Sequence, residues 1–218
     1  MKLVYRDEKG APLSNAEVDS NFDISSKYLE TIAESKGVTA VDVFVYDTRK
    51  DSDGGAWRKR TQGTSWYNEP LNTATRGSRK EFPAVAVIVA EAYKVTIYDG
   101  DDPSLPMWAI WTSNYFSNLA QALAITSVGM LNGIICVARS ATVNFEGLTL
   151  IDLIADKGLG LRRSGYNSDH RGSNSARALQ SEWFGGVKDD RGLINATAND
   201  IAMTVLPDAP IDPDTGLP

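Results

Sequence analysis

After Gly37 the hydrophobic period of this chain changes from near 3.6 residues to 2, and it stays near 2 through most of the remaining sequence. The first period lays apolar side chains along one stripe of a helix, and the second along one face of a strand. The chain is therefore expected to be mainly β, with one N-terminal capped α-helix followed by an antiparallel β domain. The boundaries implied are an arm and helix over residues 1–37, a β domain over 38–206, and a Pro/Asp-rich linker or tail over 207–218.

The helix is written in several ways at once. Ser14-Asn15-Ala16-Glu17 is a capping box, in which the Ser14 hydroxyl accepts from the Glu17 amide and the Glu17 carboxylate reaches back to the Ser14 amide. Leu13 and Val18 stand where a hydrophobic staple places them. Val18, Phe22, Leu29 and Ile32 then recur at helical spacing, with Ser25 in the remaining place of the stripe. One uninterrupted helix over 14–36 is predicted, ended by Gly37 in a left-handed backbone. Its stripe suits docking on the chain's own domain, and equally bundling with copies or with a neighbouring protein.

Strands are predicted at Val41–Tyr46, Trp57–Thr61, Pro83–Ala90, Lys94–Tyr98, Met107–Thr112, Ile125–Leu131, Ile134–Ala138, Gly147–Ile154 and Ile201–Leu206. Asn132-Gly133 joins two of them as a type I′ hairpin turn. The polar stretch Ser164–Gln180 reads as a long loop, with a short helix near Ser175–Glu182. Four prolines among the last twelve residues, interleaved with Asp208, Asp212 and Asp214, read as an extended linker with nothing to pack. A natural chain can end in such a tail, and such a linker also suggests a longer protein.

Composition narrows the function classes. A hydrophobic content of 42% and a charged content of 23% are those of a folded chain. A net charge of -6 gives the whole chain no attraction for nucleic acid or an anionic membrane. No signal peptide is evident, and the apolar run Phe82–Ala90 is about half the length that a membrane span requires. Synthesis in a cytosol and no membrane insertion are expected. The single Cys136, within an apolar run, excludes an internal disulfide framework and reads as a core residue.

No catalytic, cofactor-binding or metal-binding residue is assigned. His170, the only histidine, lies in the loop-like Ser168-Asp169-His170-Arg171-Gly172, and no nucleophile elbow accompanies it. Aligning Gly54 with the glycine of an EF-hand puts Arg49 and Arg60 in ligand positions, which removes a calcium loop. Asp47, Asp51 and Asp99 are candidates for a paired-carboxylate enzyme only by default. Residues 57–80 carry Arg58, Lys59, Arg60, Arg76, Arg79 and Lys80 with Trp57, Trp66 and Tyr67 interleaved, and only one acid, Glu69. Such residues anchor protein interfaces and can also stack on sugars or bases. The interface expected of this chain therefore comprises Val18, Phe22, Leu29, Ile32, Trp57, Arg58, Arg60, Trp66 and Tyr67.

Leu13-Ser14-Asn15-Ala16-Glu17-Val18-Asp19-Ser20-Asn21-Phe22 resembles a segment near the N-terminus of tailed-bacteriophage fibre and virion-associated proteins, with Ser14 in place of the usual Thr. The region from Asp42 to Trp111, with Trp66-Tyr67-Asn68-Glu69 and Tyr98-Asp99-Gly100-Asp101-Asp102, is similar to large virion proteins of marine phages that lead into β-propeller-like repeats. Thr126–Val137 followed by Gly147–Asp152 is similar to one propeller blade. The resemblance implies propeller-blade-like hairpins and a non-enzymatic tail protein of fibre, nozzle or adaptor type, located in the virion. Its expected partners are other phage tail proteins and further copies of itself, as a homo-oligomer of trimer or hexamer type. The rival expectation is a carbohydrate-binding module for a host surface glycan, with Trp57, Trp66 and Tyr67 as stacking platforms.

Overall fold

A computed structural model describes residues 12, 14, 37, 39–116, 123–141, 146–162, 166–170, 174–176, 183–188, 193–195 and 197–218. The chain divides into two units, Met1–Ala40 and Val41–Pro218. The helix expected over 14–36 lies outside the described residues. Gly37 itself has φ +63°, the left-handed backbone expected of it.

The second unit is mainly β. Its first sheet is an antiparallel meander in the order β1 (Asp42–Asp47), β2 (Val85–Glu91), β3 (Lys94–Asp99) and β4 (Met107–Trp111). Its second sheet continues the pattern with β5 (Ile125–Leu131), β6 (Ile134–Arg139), β7 (Glu146–Asp152), β8 (Lys157–Arg162), β9 (Tyr166–His170) and β10 (Trp183–Lys188), each paired with the next. β2 is buried at every position but its ends, as expected of a continuous Val/Ile/Ala run covered on both faces. β5 and β6 turn through Asn132 at φ 51° and Gly133 at φ 75°, the two positive angles that the hairpin requires.

β1 and β2 pack on β5, so the two meanders meet at their beginnings. Between β1 and β2 the chain coils into two short helices, α1 (Trp57–Arg60) and α2 (Ser65–Asn68). These deliver Trp57 and Trp66 to a chain of rings: Trp57–Phe82 at 5.3 Å, Phe82–Trp108 at 4.8 Å and Trp108–Trp66 at 5.3 Å. Edge and tilted contacts of this kind add about 0.5–1.5 kcal/mol per pair beyond area burial. Trp108 reaches them because β3 and β4 slip register. Ile97 opposes Ala109 and Tyr98 opposes Met107, which leaves Trp108 as the extra residue of a bulge, re-aimed into the core.

The structure corrects the sequence reading at several places. Trp57–Thr61, expected as a returning strand, is α1 running into a 3-10 turn at Thr61–Gly63. The partner of β1 is instead β2, about forty residues on, with Asp42 opposite Ala90 and Asp47 opposite Val85. Turn bonds from Gly54 N to Asp51 O and from Gly55 N to the Asp53 carboxylate coil the intervening chain. The expected loop Ser164–Gln180 contains β9, where His170 pairs with Trp183 and Gly158, so the histidine belongs to a sheet. Its polar composition hid the strand, because backbone pairing supplies the order there. The helix expected near 175–182 appears only as a 3-10 turn at Asn174–Ala176, and 177–182 lie outside the described residues. Ile201–Leu206 forms no ladder.

The tail is not a free linker. Leu217 is 3% exposed within the hydrophobic core, and Thr215 is also buried. Asp212 explains how a proline-rich segment packs. Its carboxylate accepts from the amides of Asp214 and Thr215, and its carbonyl from Gly216, so the chain turns back on itself.

Candidate functional site at the seam between the sheets

β5 is an edge strand, and edge amides invite foreign strands unless something covers them. Here carboxylates do so. Asp42, which opens β1, accepts from the Val128 amide at 2.9 Å and from the Ser127 hydroxyl at 2.8 Å. Asp51, just past the 3-10 turn Thr48–Lys50, accepts from the Asn132 amide at 2.9 Å. Two acids of the first sheet's flank thus replace a neighbouring strand along the second.

Asp51 is the centre of the seam. It is 6% exposed, and besides Asn132 it accepts from Trp57 Nε1 at 2.7 Å and from the Tyr46 hydroxyl. Tyr46 in turn accepts from Gly133 N at 3.2 Å. Burial pushes the Asp51 carboxyl above its ordinary value, against the opposing pull of the Tyr46, Trp57 and Asn132 donors. Burial, followed by the bond to Asp51, likewise pushes the Tyr46 hydroxyl up. Asn132 extends the network: its Oδ1 accepts from Ser52 N at 2.9 Å, and its Nδ2 donates to Pro218 O at 3.0 Å. Sheet one, the hairpin tip of sheet two and the tail therefore share a single set of hydrogen bonds.

Other acids act in the same way. Asp156, at the turn from β7 to β8, accepts from Ser65 N, Ser65 Oγ and Asn174 N. Asp101 accepts from the amides of Ala84 and Val85. Asp99 is gripped by Arg79 Nη1 at 2.8 and 2.9 Å. Asp47 chelates Arg49, whose hydrogen bonds hold its carboxyl below the usual value. Asp47, Asp51 and Asp99 are thus each engaged with fixed donors of their own. Among the described residues, no three His, Cys, Asp or Glu side chains converge to hold a metal ion, and no helix is long and apolar enough to cross a membrane.

Of the expected interface, Val18, Phe22, Leu29 and Ile32 lie outside the described residues. Trp57 and Trp66 are at most 1% exposed, with Trp66 Nε1 donating to Leu153 O at 2.7 Å. An indole in the core with its N–H satisfied has no face to offer a partner, so these two residues are corrected from surface platforms to core. Tyr67 is half-buried against Trp66, with Lys80 Nζ 5.7 Å from its ring centre. Arg58 donates to Phe82 O and pairs with Glu81, and Arg60 pairs with Asp53 and donates to Thr215 O. Arg76, 1% exposed, lies 4.3 Å over Trp108 and donates to Trp108 O. Most of the basic-aromatic segment is therefore spent inside the chain. Sequence reasoning did not single out Asp42 or Asp156, and it marked Asn132 only as a hairpin-turn residue. Their signal, a short polar residue beside a strand end or turn, is shared by many surface turns. Cys136 is buried as expected, and burial pushes its thiol up to about 11.

No family model matches the chain, and no curated protein or solved structure shows significant similarity to it.

Proposed function

We propose that the chain is a structural component of a bacteriophage tail, of fibre, nozzle or adaptor type, working as a symmetric oligomer attached through its N-terminal region. The seam is the observation that carries this reading. Two consecutive antiparallel meanders meet at their beginnings, and the carboxylates between them are spent on locking loops and strand edges rather than left to act on a substrate. Each sheet has the up-and-down strand order of a propeller blade, although two such sheets do not close a propeller. This arrangement is consistent with the resemblance of residues 13–22 and 42–111 to phage virion proteins. The glycan-binding rival loses two of its three platforms to the core, and no observation favours it.

The test is cryo-electron microscopy of the particle that carries this chain, together with native mass spectrometry of the full chain. The expected result is density for the β unit in a ring or spike on the tail axis, with matching copy number. A chain confined to infected-cell extract and missing from purified particles overturns the reading.

A further inference from the structure

Residues 201–206, Ile-Ala-Met-Thr-Val-Leu, alternate as a strand does. Ile201, Met203 and Val205 are half-buried, while Ala202, Thr204 and Leu206 are exposed. The first side chains lean on β5, where a Cβ added at Gly129 would meet Ile201 Cγ2 at 3.1 Å and Met203 Sδ at 3.8 Å. Yet no backbone group from Ala202 to Val205 finds a hydrogen-bond partner among the described residues, and Leu206 uses only its carbonyl, which accepts from Ala209 N. Beside the segment is a cleft of about 400 Å³ whose lining includes Leu131, Ile134, Val205, Leu206 and Pro218. The contrast with β5 is informative. There, Asp42 plugs the Val128 edge amide and Asp51 the Asn132 turn amide, whereas this apolar segment, free of proline and charge, is left bare.

We propose that residues 201–206 are a strand-addition site and that its occupant is the same segment of a second copy, paired antiparallel about Met203. A bare extended backbone is recognised by another extended backbone, whose alternate side chains then find the apolar cleft. Charge decides between the two registers nearest the middle of the segment. Pairing centred on Thr204 would set Asp200 against Asp208, two like charges. Pairing centred on Met203 sets Ile201 against Val205 and Ala202 against Thr204, and puts Asp200 opposite Leu206 and Asp208 opposite Ala198, so no acid faces an acid. The contact is isologous, and one contact satisfies both bare edges. It concerns the isolated chain and is independent of the tail reading.

The experiment uses the full chain. Sedimentation is expected to show an even-numbered assembly that Thr204→Pro reduces to half its copy number. The fold of the variant is expected to persist by circular dichroism, since Ala202–Val205 make no backbone hydrogen bond among the described residues of their own chain. Opposed residues in an antiparallel pair lie about 4.5–5.5 Å apart at Cα, within disulfide reach. Under oxidation Met203→Cys is therefore expected to yield mostly disulfide-linked dimer, while Ala202→Cys and Val205→Cys, which oppose other residues, stay unlinked. A monomeric or strictly odd-numbered wild type overturns the proposal. So do equal cross-linking at all three positions, or a Met203→Cys cross-link to a protein other than this chain.

Discussion

Asp51 shows what a single buried acid contributes in this chain. Its two oxygens serve the Asn132 amide, the Trp57 indole and the Tyr46 hydroxyl. Asp51→Ala would leave three buried donors without an acceptor, so a loss of roughly 3 kcal/mol is expected in urea denaturation. The pH dependence has a definite sign. Because burial raises the Asp51 carboxyl above its ordinary 3.8, the folded chain holds that proton more tightly than the unfolded chain. The stabilisation linked to this group is thus complete below pH 3.8 and is lost as pH climbs through the raised value. Asp51→Asn, which cannot titrate, is expected to flatten that slope, so the stability advantage of wild type over the variant shrinks as pH rises. An advantage that stays constant or grows with pH would contradict this. The sequence marked Asp51 only as a default carboxylate candidate beside Asp47 and Asp99. Its role depends on Asn132, 81 positions away, and local pattern carries no trace of such a pairing.

At the scale of elements, the hairpin β5–β6 is where local and distant demands coincide. Gly133 supplies a positive φ, and it also sits where a Cβ would meet Ile154 Cδ1 at 2.9 Å and Trp57 Cδ2 at 3.3 Å. Gly133→Ala is expected to cost about 1–3 kcal/mol, more than the left-handed backbone alone would. Calorimetry of the variant checks this, and a change in melting temperature no larger than that of an exposed substitution would refute it. Asp42→Ala unplugs the Val128 amide on the β5 edge, for an expected loss of about 1–2 kcal/mol. Faster aggregation by light scattering is expected alongside it. The same hairpin marks how far sequence reaches. Strands with apolar alternation or a continuous Val/Ile run, β1 through β7 here, were legible because burial wrote their pattern. β8, β9 and β10 carry Gly-Leu-Gly, Asn-Ser-Asp and Gly-Gly, and they exist because each is paired to a preceding strand rather than because of their own composition. Trp57 and Trp66 misled for a related reason: interfaces and cores favour the same residues, and only tertiary packing tells them apart.

For the whole β unit, the tail is the part that joins the rest. Thr215 O accepts from Arg60, the last residue of α1, and Pro218 O accepts from Asn132 at the hairpin tip of the second sheet. Lys157 at the start of β8 pairs with Asp214 at 2.9 Å, an exposed contact of little consequence by itself. Leu217 enters the hydrophobic core shared by both sheets. A segment whose prolines and aspartates spell out a linker thus behaves as a clip, because Asp212 bends it and Leu217 gives it one buried anchor. Leu217→Asp replaces that anchor with a charge that the core cannot solvate, so roughly 3–4 kcal/mol should be lost. Hydrogen exchange distinguishes a clip from a decoration. If the tail holds the seam, Leu217→Asp raises exchange at the Asn132 amide and at the backbone around Trp57, while the β2–β3 pairing in the interior of the first sheet stays protected. If exchange rises only within residues 212–218, the tail is a passenger and the two sheets hold together without it.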